Sequence, residues 1–382
     1  MEPDMRAGVP RERRPAEHRV ALTPNGVAAL VAQGVEVQVE TDAGERAGFL
    51  DGAYRGSGAT IVDSPHDVLD SDLVLWVGPP TPEELDLVPH GAAVAGFLDA
   101  FTSGDVVRRL ADRHLSAFAF EAVPRITTAQ SMDALSSQAT AAGYAAAIAG
   151  AEASDKLLPM LTTAAGTIPP AKVLVLGAGV AGLQAIATSR RLGAQVTAYD
   201  IRPEAAEQIE SLGAKAIRAV ETGPDSGGYA REVTQTEQER QLELLAPHVE
   251  ASDIVITTAA VPGRRAPVLV SHEMVHRMRP GSVIVDLAAA SGGNCEVTHV
   301  DELSMHAGIV KVLGPTDLPS RVARDASRMY GRNVLALLDR IVVDGDLFVD
   351  LDDPVVGPTC VTHRGEVRHP LSRDLLGLKE TA

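Results

Sequence analysis

Three glycines stand where an apolar run gives way to a helical pattern, in Val173-Leu-Val-Leu-Gly177-Ala178-Gly179-Val180-Ala181-Gly182. In a Gly-x-Gly-x-x-Gly turn the first glycine permits a tight reversal, and the second lets the backbone approach a pyrophosphate. The third lets the helix pack close to the strand. The helix N-terminus then offers unpaired N–H groups and roughly half a positive charge to phosphate. Asp200 ends the following apolar run, 23 positions after Gly177, where an acidic side chain accepts hydrogen bonds from an adenosine ribose. Strand, turn, helix and acid in register predict dinucleotide binding. A carboxylate there repels a 2′-phosphate, so NAD(H) is expected over NADP(H), although Ile201 and Arg202 follow directly and an arginine can accommodate the phosphorylated form.

A second constellation is Val123-Pro-Arg125-Ile-Thr-Thr-Ala-Gln130-Ser-Met-Asp133-Ala-Leu-Ser136-Ser137-Gln138. Arg125, Gln130, Asp133 and Ser136 fall at the end of one domain and the start of an Ala-rich connecting helix, and Asp133, Ser136 and Gln138 are spaced to crowd one end of that helix. On residue types alone, an N-terminal cap with an Arg–Asp pair is the better-supported reading. The alternative is a set of polar groups aimed at a nicotinamide carboxamide and its ribose.

Alternating strands and helices must position both groups. Val35–Val39, Thr60–Val62, Leu73–Val77, Ala92–Ala95 and Ser116–Phe120 read as strands. Helical stretches separate them, such as 24–33 behind Thr23 as N-cap with Pro at the first helical position. After the prolines of Thr167-Ile-Pro-Pro170 a second series follows: Lys172–Leu176, Gln195–Tyr199, Ile254–Ile256, Ser282–Val285 and Ile309–Leu313. Residues 341–349 carry an Asp-Gly hairpin signal, in a tail expected to rejoin the first domain. Residues 221–239, with Gly-Pro-Asp-Ser-Gly-Gly, are expected to form a long mobile surface loop. The fold class is α/β, with two Rossmann-like doubly wound parallel-sheet domains separated by a cleft. The expected domains are 1–135 plus 318–382, and 136–317.

Composition narrows the function classes. The 382 residues carry a formal net charge of −17 and are 45% apolar but only 3% aromatic. So acidic a chain is a poor ligand for nucleic acid, and an aliphatic core suits a buried parallel sheet. Two cysteines 65 positions apart make neither a disulfide scaffold nor a zinc site and fit a reducing compartment. The N-terminus shows no signal-peptide pattern. The uncharged stretch 134–151 is too rich in Ala, Gly, Ser and Thr for a membrane span.

Over nearly its whole length the chain resembles the soluble NAD(H)-binding alpha subunit of proton-translocating nicotinamide nucleotide transhydrogenase, which shares its fold with alanine dehydrogenase. The likeness runs from Pro10-Arg-Glu-Arg-Arg14 and Glu17-His-Arg19-Val-Ala-Leu-Thr-Pro24 to Asp350-Leu-Asp-Asp353. Its most specific stretches are Pro124-Arg-Ile, Ala129-Gln-Ser-Met-Asp133, Leu135-Ser-Ser-Gln138, Thr163–Ala171, Gly292-Gly-Asn-Cys295 and Pro319-Ser-Arg-Val-Ala323. The resemblance implies that Arg125 and Gln130 orient the nicotinamide end and the facing second nucleotide. It likewise implies that Asp133 and Ser136 bind the carboxamide and nicotinamide ribose, so that Arg125, Gln130 and Asp133 serve the hydride step. Gly177, Ala178, Gly179, Val180, Ala181 and Gly182 would hold the pyrophosphate, with Asp200, Ile201 and Arg202 at the adenosine ribose. Gly228 and Tyr229 would lie on a loop that closes over nucleotide, Gln241 would follow it, and Thr258 and Ala260 would line the adenine side.

The two resembled activities need different residues. An amino-acid dehydrogenase must move a proton as hydride moves. The resemblance places its Lys in the 73–77 strand and its His just past the 92–95 strand. Here those segments read Leu73-Val-Leu-Trp76-Val77 and Val94-Ala-Gly-Phe-Leu-Asp-Ala100, with neither residue. Trp76 also departs from the transhydrogenase pattern, in which this strand commonly carries Lys, and so does the short Gly78-Pro-Pro-Thr-Pro82 after it. Arg19 would hold an oxo acid in the dehydrogenases and is expected to be structural here. Asp286, which helps substrate in those enzymes, is expected to cap the next helix or pair with an arginine. None of the histidines, including His272, His276 and His363, is expected to be catalytic. Transhydrogenation needs only proximity and alignment. The expectation is an NADH-oxidising subunit, homodimeric, cytoplasmic and held at the inner face of the cytoplasmic membrane by partner subunits. Those partners would bind NADP(H) and span the membrane. The alternatives are a stand-alone amino-acid dehydrogenase with altered acid/base residues and a non-catalytic NAD(H)-binding module.

Overall fold

The structure is a computed structural model that describes residues 5–218, 235–260 and 265–378. The chain divides into two compact units, Met1–Gln138 with Pro319–Ala382, and Ala139–Leu318.

The first unit begins with β1 (Arg6–Val9), β2 (Glu36–Glu40), β3 (Thr60–Val62), β4 (Leu73–Leu75), β5 (Ala93–Gly96) and β6 (Ser116–Ala119). They lie in the order β3-β2-β1-β4-β5-β6, all parallel. The switch in winding direction falls between β1 and β4, the doubly wound arrangement. Both faces of this sheet are covered, so strand neighbours alternate between two apolar layers. Leu73 and Leu75 enter one core with Ala93 and Ala95, while Val74 and Trp76 enter the other with Val94. Continuous apolar runs rather than alternating ones are the sequence trace of such burial. The short β1, with its charged first residue, left no comparable trace.

Asp133 opens the helix Ala134–Ala153, which leads into the second unit. There the strands are β7 (Leu161–Thr163), β8 (Gly166–Ile168), β9 (Lys172–Leu176), β10 (Gln195–Tyr199), β11 (Lys215–Ile217), β12 (Ile254–Thr257), β13 (Val283–Asp286), β14 (Leu303–His306) and β15 (Val310–Leu313). β7 and β8 form a separate exposed hairpin. The main sheet runs β11-β10-β9-β12-β13-β15-β14, parallel except for the edge strand β14. Its switch point lies between β9 and β12. The Ala-rich helix packs against the helix Val180–Arg191 so closely that a Cβ on Gly143 would stand 2.1 Å from the Ala181 carbonyl oxygen. Small residues are what permit that approach.

The tail returns to the first unit. Helix Ala323–Ile341 is followed by β16 (Val342–Val343) and β17 (Asp346–Leu347). They are joined through Asp344 and Gly345 with φ of 53° and 88°, the left-handed pair that a tight hairpin requires. Finally β18 (Cys360–His363) pairs antiparallel with β6, and β19 (Glu366–Val367) closes the eight-stranded sheet.

Two local expectations change. Thr23 sits at the N-cap of Pro24–Ala32 in extended conformation, but its side chain makes no capping bond. Residues 235–239, expected in a loop, begin the helix Gln235–Glu250. The rest of that expected loop, with Gly228 and Tyr229, lies outside the described residues. Among the described residues no helix is long and apolar enough to cross a membrane, and no group of His, Cys, Asp or Glu is arranged to hold a metal. Cys295 and Cys360 are free thiols, both buried.

Candidate functional site

The glycine turn lies at the carboxyl end of β9, at the switch point of the second unit, where open α/β sheets bind ligands. Gly177 has φ +99°, and a Cβ there would meet the Thr258 hydroxyl at 2.6 Å. A Cβ on Gly182 would stand 1.9 Å from the Gly177 carbonyl oxygen, whereas one on Gly179 would meet nothing within 4 Å. Two glycines thus serve packing, and the middle one presents bare backbone to open space at the N-cap of Val180–Arg191. Ala178 is buried, Val180 is exposed and Ala181 is half-buried. Thr258 steadies the turn from β12, its hydroxyl donating to the Gly177 carbonyl at 3.1 Å.

Asp200 stands beside this turn and is bound on all sides. Its carboxylate accepts from the Ala178 amide at 2.7 Å and the Arg202 amide at 2.9 Å. It also accepts from Arg202 Nε at 3.0 Å and Nη2 at 3.1 Å. A carboxylate has about four lone-pair sites, so a ribose hydroxyl must displace the Arg202 guanidinium to reach it. Ile201, between them, is half-buried. Gln241 is buried in the helix Gln235–Glu250 and donates to the Tyr199 hydroxyl at 3.0 Å. Burial raises the Tyr199 pKa, which keeps that phenol neutral.

Ala260 is exposed just past β12. This segment is framed by a residue for which no role was expected. Asn294, fully buried, accepts from the Ala259 amide at 3.0 Å and donates to the Ala259 and Pro267 carbonyls at 2.8 and 2.7 Å. Asp286 holds Asn294 in turn. Its buried carboxylate accepts from Thr257 Oγ1, Thr298 Oγ1 and the amides of Ala288, Asn294 and Cys295 at 2.8 to 3.0 Å. It is therefore a loop-organising group that caps the turn after β13.

In the first unit, Arg125 is exposed just before the 3₁₀ turn Thr127–Met132 and Gln130 is exposed within it, while Asp133 and Ser136 are half-buried. Asp133 caps the helix, accepting from the Ser136 amide at 2.8 Å and its hydroxyl at 2.6 Å. That is the cap expected from residue types, and it places Ser136 beside the Asp133 carboxylate. Gln138 is different. It is buried, accepts from Arg19 Nη1 at 2.8 Å and donates to the Ala326 carbonyl at 3.1 Å.

Arg19 leads to a buried polar network within this unit. Its Nε and Nη2 grip the two oxygens of Glu17 at 2.7 and 2.5 Å, a bidentate fork. Burial opposes the Glu17 charge, but the Arg19 guanidinium outweighs it and holds that carboxyl below its ordinary range. Ser320 adds a hydrogen bond to Glu17 at 2.7 Å. The edge with which Arg19 could grasp a substrate carboxylate is already filled. Glu12, buried, accepts from the Val77 amide at 2.6 Å, and burial together with the Glu17 charge pushes it up to about 7. Glu121 is likewise pushed up by burial to about 7 while accepting from the amides of Leu98 and Ala100. Trp76 is buried, and its indole N–H has no hydrogen-bond partner among the described residues. Tyr330 donates to the Trp76 carbonyl at 2.7 Å. Charge pattern and spacing gave no notice of Glu12, Glu121 or Tyr330, because their partners come from distant segments.

Comparison with known proteins agrees with this architecture. The family model for the alanine dehydrogenase/PNT N-terminal domain matches residues 8–142, and that for the C-terminal domain matches residues 146–370. The chain is 46% identical over 379 residues to an NAD(P) transhydrogenase subunit alpha, the first of its parts, from Rhodospirillum rubrum, covering 96% of this chain and 98% of that protein. Among solved structures it is similar to a transhydrogenase from Sinorhizobium meliloti, at 40% identity and a TM-score of 0.84 over 96% of this chain and 99% of that one. It is also similar to an L-alanine dehydrogenase, at 28% identity and a TM-score of 0.80 over 98% and 99% of the two chains. With both domain models matched and a relative aligned almost end to end, the chain belongs to the alanine dehydrogenase/PNT family, as a relative of its transhydrogenase alpha subunits.

Proposed function

We propose that this chain is the NADH-binding subunit of a proton-translocating transhydrogenase, donating hydride to NADP⁺ held by a partner subunit. One observation carries the choice within the family: the Arg19 fork is filled by Glu17, in a unit whose β4 and β5 ends offer neither Lys nor His. A stand-alone amino-acid dehydrogenase needs an oxo-acid anchor and a proton donor. Hydride transfer between two nicotinamides needs neither, only alignment and exclusion of water.

The residues present fit a dinucleotide. The open face at Gly179 admits a pyrophosphate to the N-terminus of Val180–Arg191, and Asp200 would take the adenosine ribose once Arg202 moves aside. NADH, when bound, supplies the hydride. Asp133 and Ser136 would hold its carboxamide and ribose, while Arg125 and Gln130, both exposed, would orient the nicotinamide against the partner's nucleotide. Gly228, Tyr229, Gln241, Thr258 and Ala260 complete the proposed nucleotide-binding set. Proton translocation would belong to membrane-embedded partners, with this subunit at the inner face of the cytoplasmic membrane. A homodimer is favoured by the β7–β8 hairpin, where Leu161 and Ile168 are paired across the strands and both exposed. An isolated two-stranded hairpin is marginal in water, and packing against a second copy would bury it.

The test offers the chain L-alanine with NAD⁺, pyruvate with ammonia and NADH, or NADH with an NADP⁺-loaded partner subunit. Turnover is expected only with the partner, and alanine oxidation would overturn the assignment. Arg125→Ala is expected to leave NADH affinity within about threefold while slowing transfer about tenfold or more. Equal losses in both would make the arginine a binding residue.

A further inference from the structure

The turn that carries Gln130 and the helix end that carries Asp133 and Ser136 are joined by a residue from a distant segment. Asn333, on the helix Ala323–Ile341 and almost wholly buried, donates through Nδ2 to the Ser131 carbonyl at 2.8 Å. Its Oδ1 accepts from the Ser137 hydroxyl at 2.6 Å. A carboxamide can donate at one end and accept at the other, and here each end holds a different element. Seven residues further along the same helix, hence on the same face, Arg340 Nη2 donates to the Thr128 carbonyl at 3.3 Å. The two bonds bracket Gln130. The Asp133 carboxylate, by contrast, reaches only Ser136, and the backbone bond from the Asp133 amide to the Gln130 carbonyl at 3.2 Å only closes the turn's last residues. The chain of bonds continues inward, since Ser137 accepts from Gln138 Nε2 at 3.1 Å and Gln138 is gripped by Arg19.

We propose that Asn333 is a positioning residue for the nicotinamide-binding segment, fixing Gln130 relative to Asp133 and Ser136 through its bonds to Ser131 and Ser137. The proposal rests on the reading of those three residues as the nicotinamide end of an NAD(H) site. Asn333 is almost wholly buried and acts through the two elements its carboxamide holds rather than on the nucleotide itself. Its loss frees the turn to drift, and a displacement near 1 Å is enough to disrupt an aligned site. The adenosine end, built from Gly177–Gly182 and Asp200, has no bond to Asn333 and is expected to be untouched.

The experiment compares NADH with ADP-ribose, which lacks the nicotinamide, in direct binding to the full chain. In the unaltered chain NADH is expected to bind the more tightly. Asn333→Ala is expected to weaken NADH about tenfold and ADP-ribose less than twofold. Ser137→Ala, which removes one hydroxyl, is expected to weaken NADH about threefold with the same selectivity, and it decides the matter if the Asn333 variant does not fold. Equal weakening of both ligands, or no weakening in either variant, overturns the role of Asn333 alone. An unaltered chain that binds ADP-ribose as tightly as NADH overturns the nicotinamide reading, and this proposal with it.

Discussion

The same small change, glycine to alanine, is expected to have opposite consequences three positions apart. At Gly182 the added Cβ stands 1.9 Å from the Gly177 carbonyl oxygen and 3.0 Å from the Thr258 hydroxyl. Ordinary contact requires the helix to withdraw from the turn by about 1.5 Å, and such overpacking costs roughly 1–3 kcal/mol. In a unit of this size the midpoint of thermal unfolding falls by about 2–4 °C per kcal/mol, so a loss of roughly 2–12 °C is expected. At Gly179 the Cβ meets nothing within 4 Å, and the backbone (φ −72°, ψ −170°) suits any residue. The stability cost is that of alanine for glycine at an N-cap, about 0.5–1 kcal/mol. Yet the methyl occupies the space through which a pyrophosphate reaches the helix N-terminus. Losing one hydrogen bond to a charged group costs about 1.5–3 kcal/mol, or roughly 10- to 100-fold in affinity. Titration calorimetry with NADH and a thermal melt on each variant separate the two effects. If Gly179→Ala binds NADH within twofold of the unaltered chain, the pyrophosphate does not cross that face and the assignment of the turn fails.

Two further outcomes follow from individual carboxylates. Asp200→Asn removes the charge that repels a 2′-phosphate and releases the Arg202 guanidinium, so affinity for NADPH relative to NADH is expected to rise at least tenfold. An unchanged ratio in paired titrations would show that Asp200 does not face the adenosine ribose. Glu12 is held near 7 against an ordinary value of 4.5, so between those values the folded chain keeps a proton that the unfolded chain has lost. Stability attributable to this group therefore falls as pH rises from about 4.5 to about 7 and is level beyond, by about 3 kcal/mol in all. Glu12→Gln keeps an acceptor for the Val77 amide and removes that titration. Its advantage in urea midpoint over the unaltered chain is expected to grow from pH 5 to pH 8, and a gap independent of pH would contradict the burial of a protonated Glu12.

The polar contacts differ in how far they were legible. Asp133 capping its own helix was readable because the donor amide and hydroxyl lie three positions away. Gln138 is its neighbour in sequence and carries a similar polar group, yet it is bound inside the first unit by Arg19, 119 positions distant. Arg202 was seen as a neighbour of Asp200. That it would saturate the carboxylate depends on the bend of the chain after β10, which sequence spacing does not specify. Gln235–Glu239 looked like loop because it is polar throughout, but the helix it opens is anchored further along by buried Leu245 and Val249.

By itself the sequence determined what backbone sterics and short-range periodicity control: the strand-turn-helix around Gly177, the acid at the end of the next strand, two successive α/β series, and the lack of Lys and His at the ends of β4 and β5. These follow from constraints acting over a few residues, where the conformational freedom of glycine or the spacing of apolar side chains leaves few alternatives. Only the tertiary structure decided which buried polar groups satisfy one another. Glu17 meets Ser320 across 303 positions, and Ser131 meets Asn333 across 202. A buried donor or acceptor must find a partner, but which partner stands within 3 Å is settled by how helices and sheets pack, and no local pattern records it.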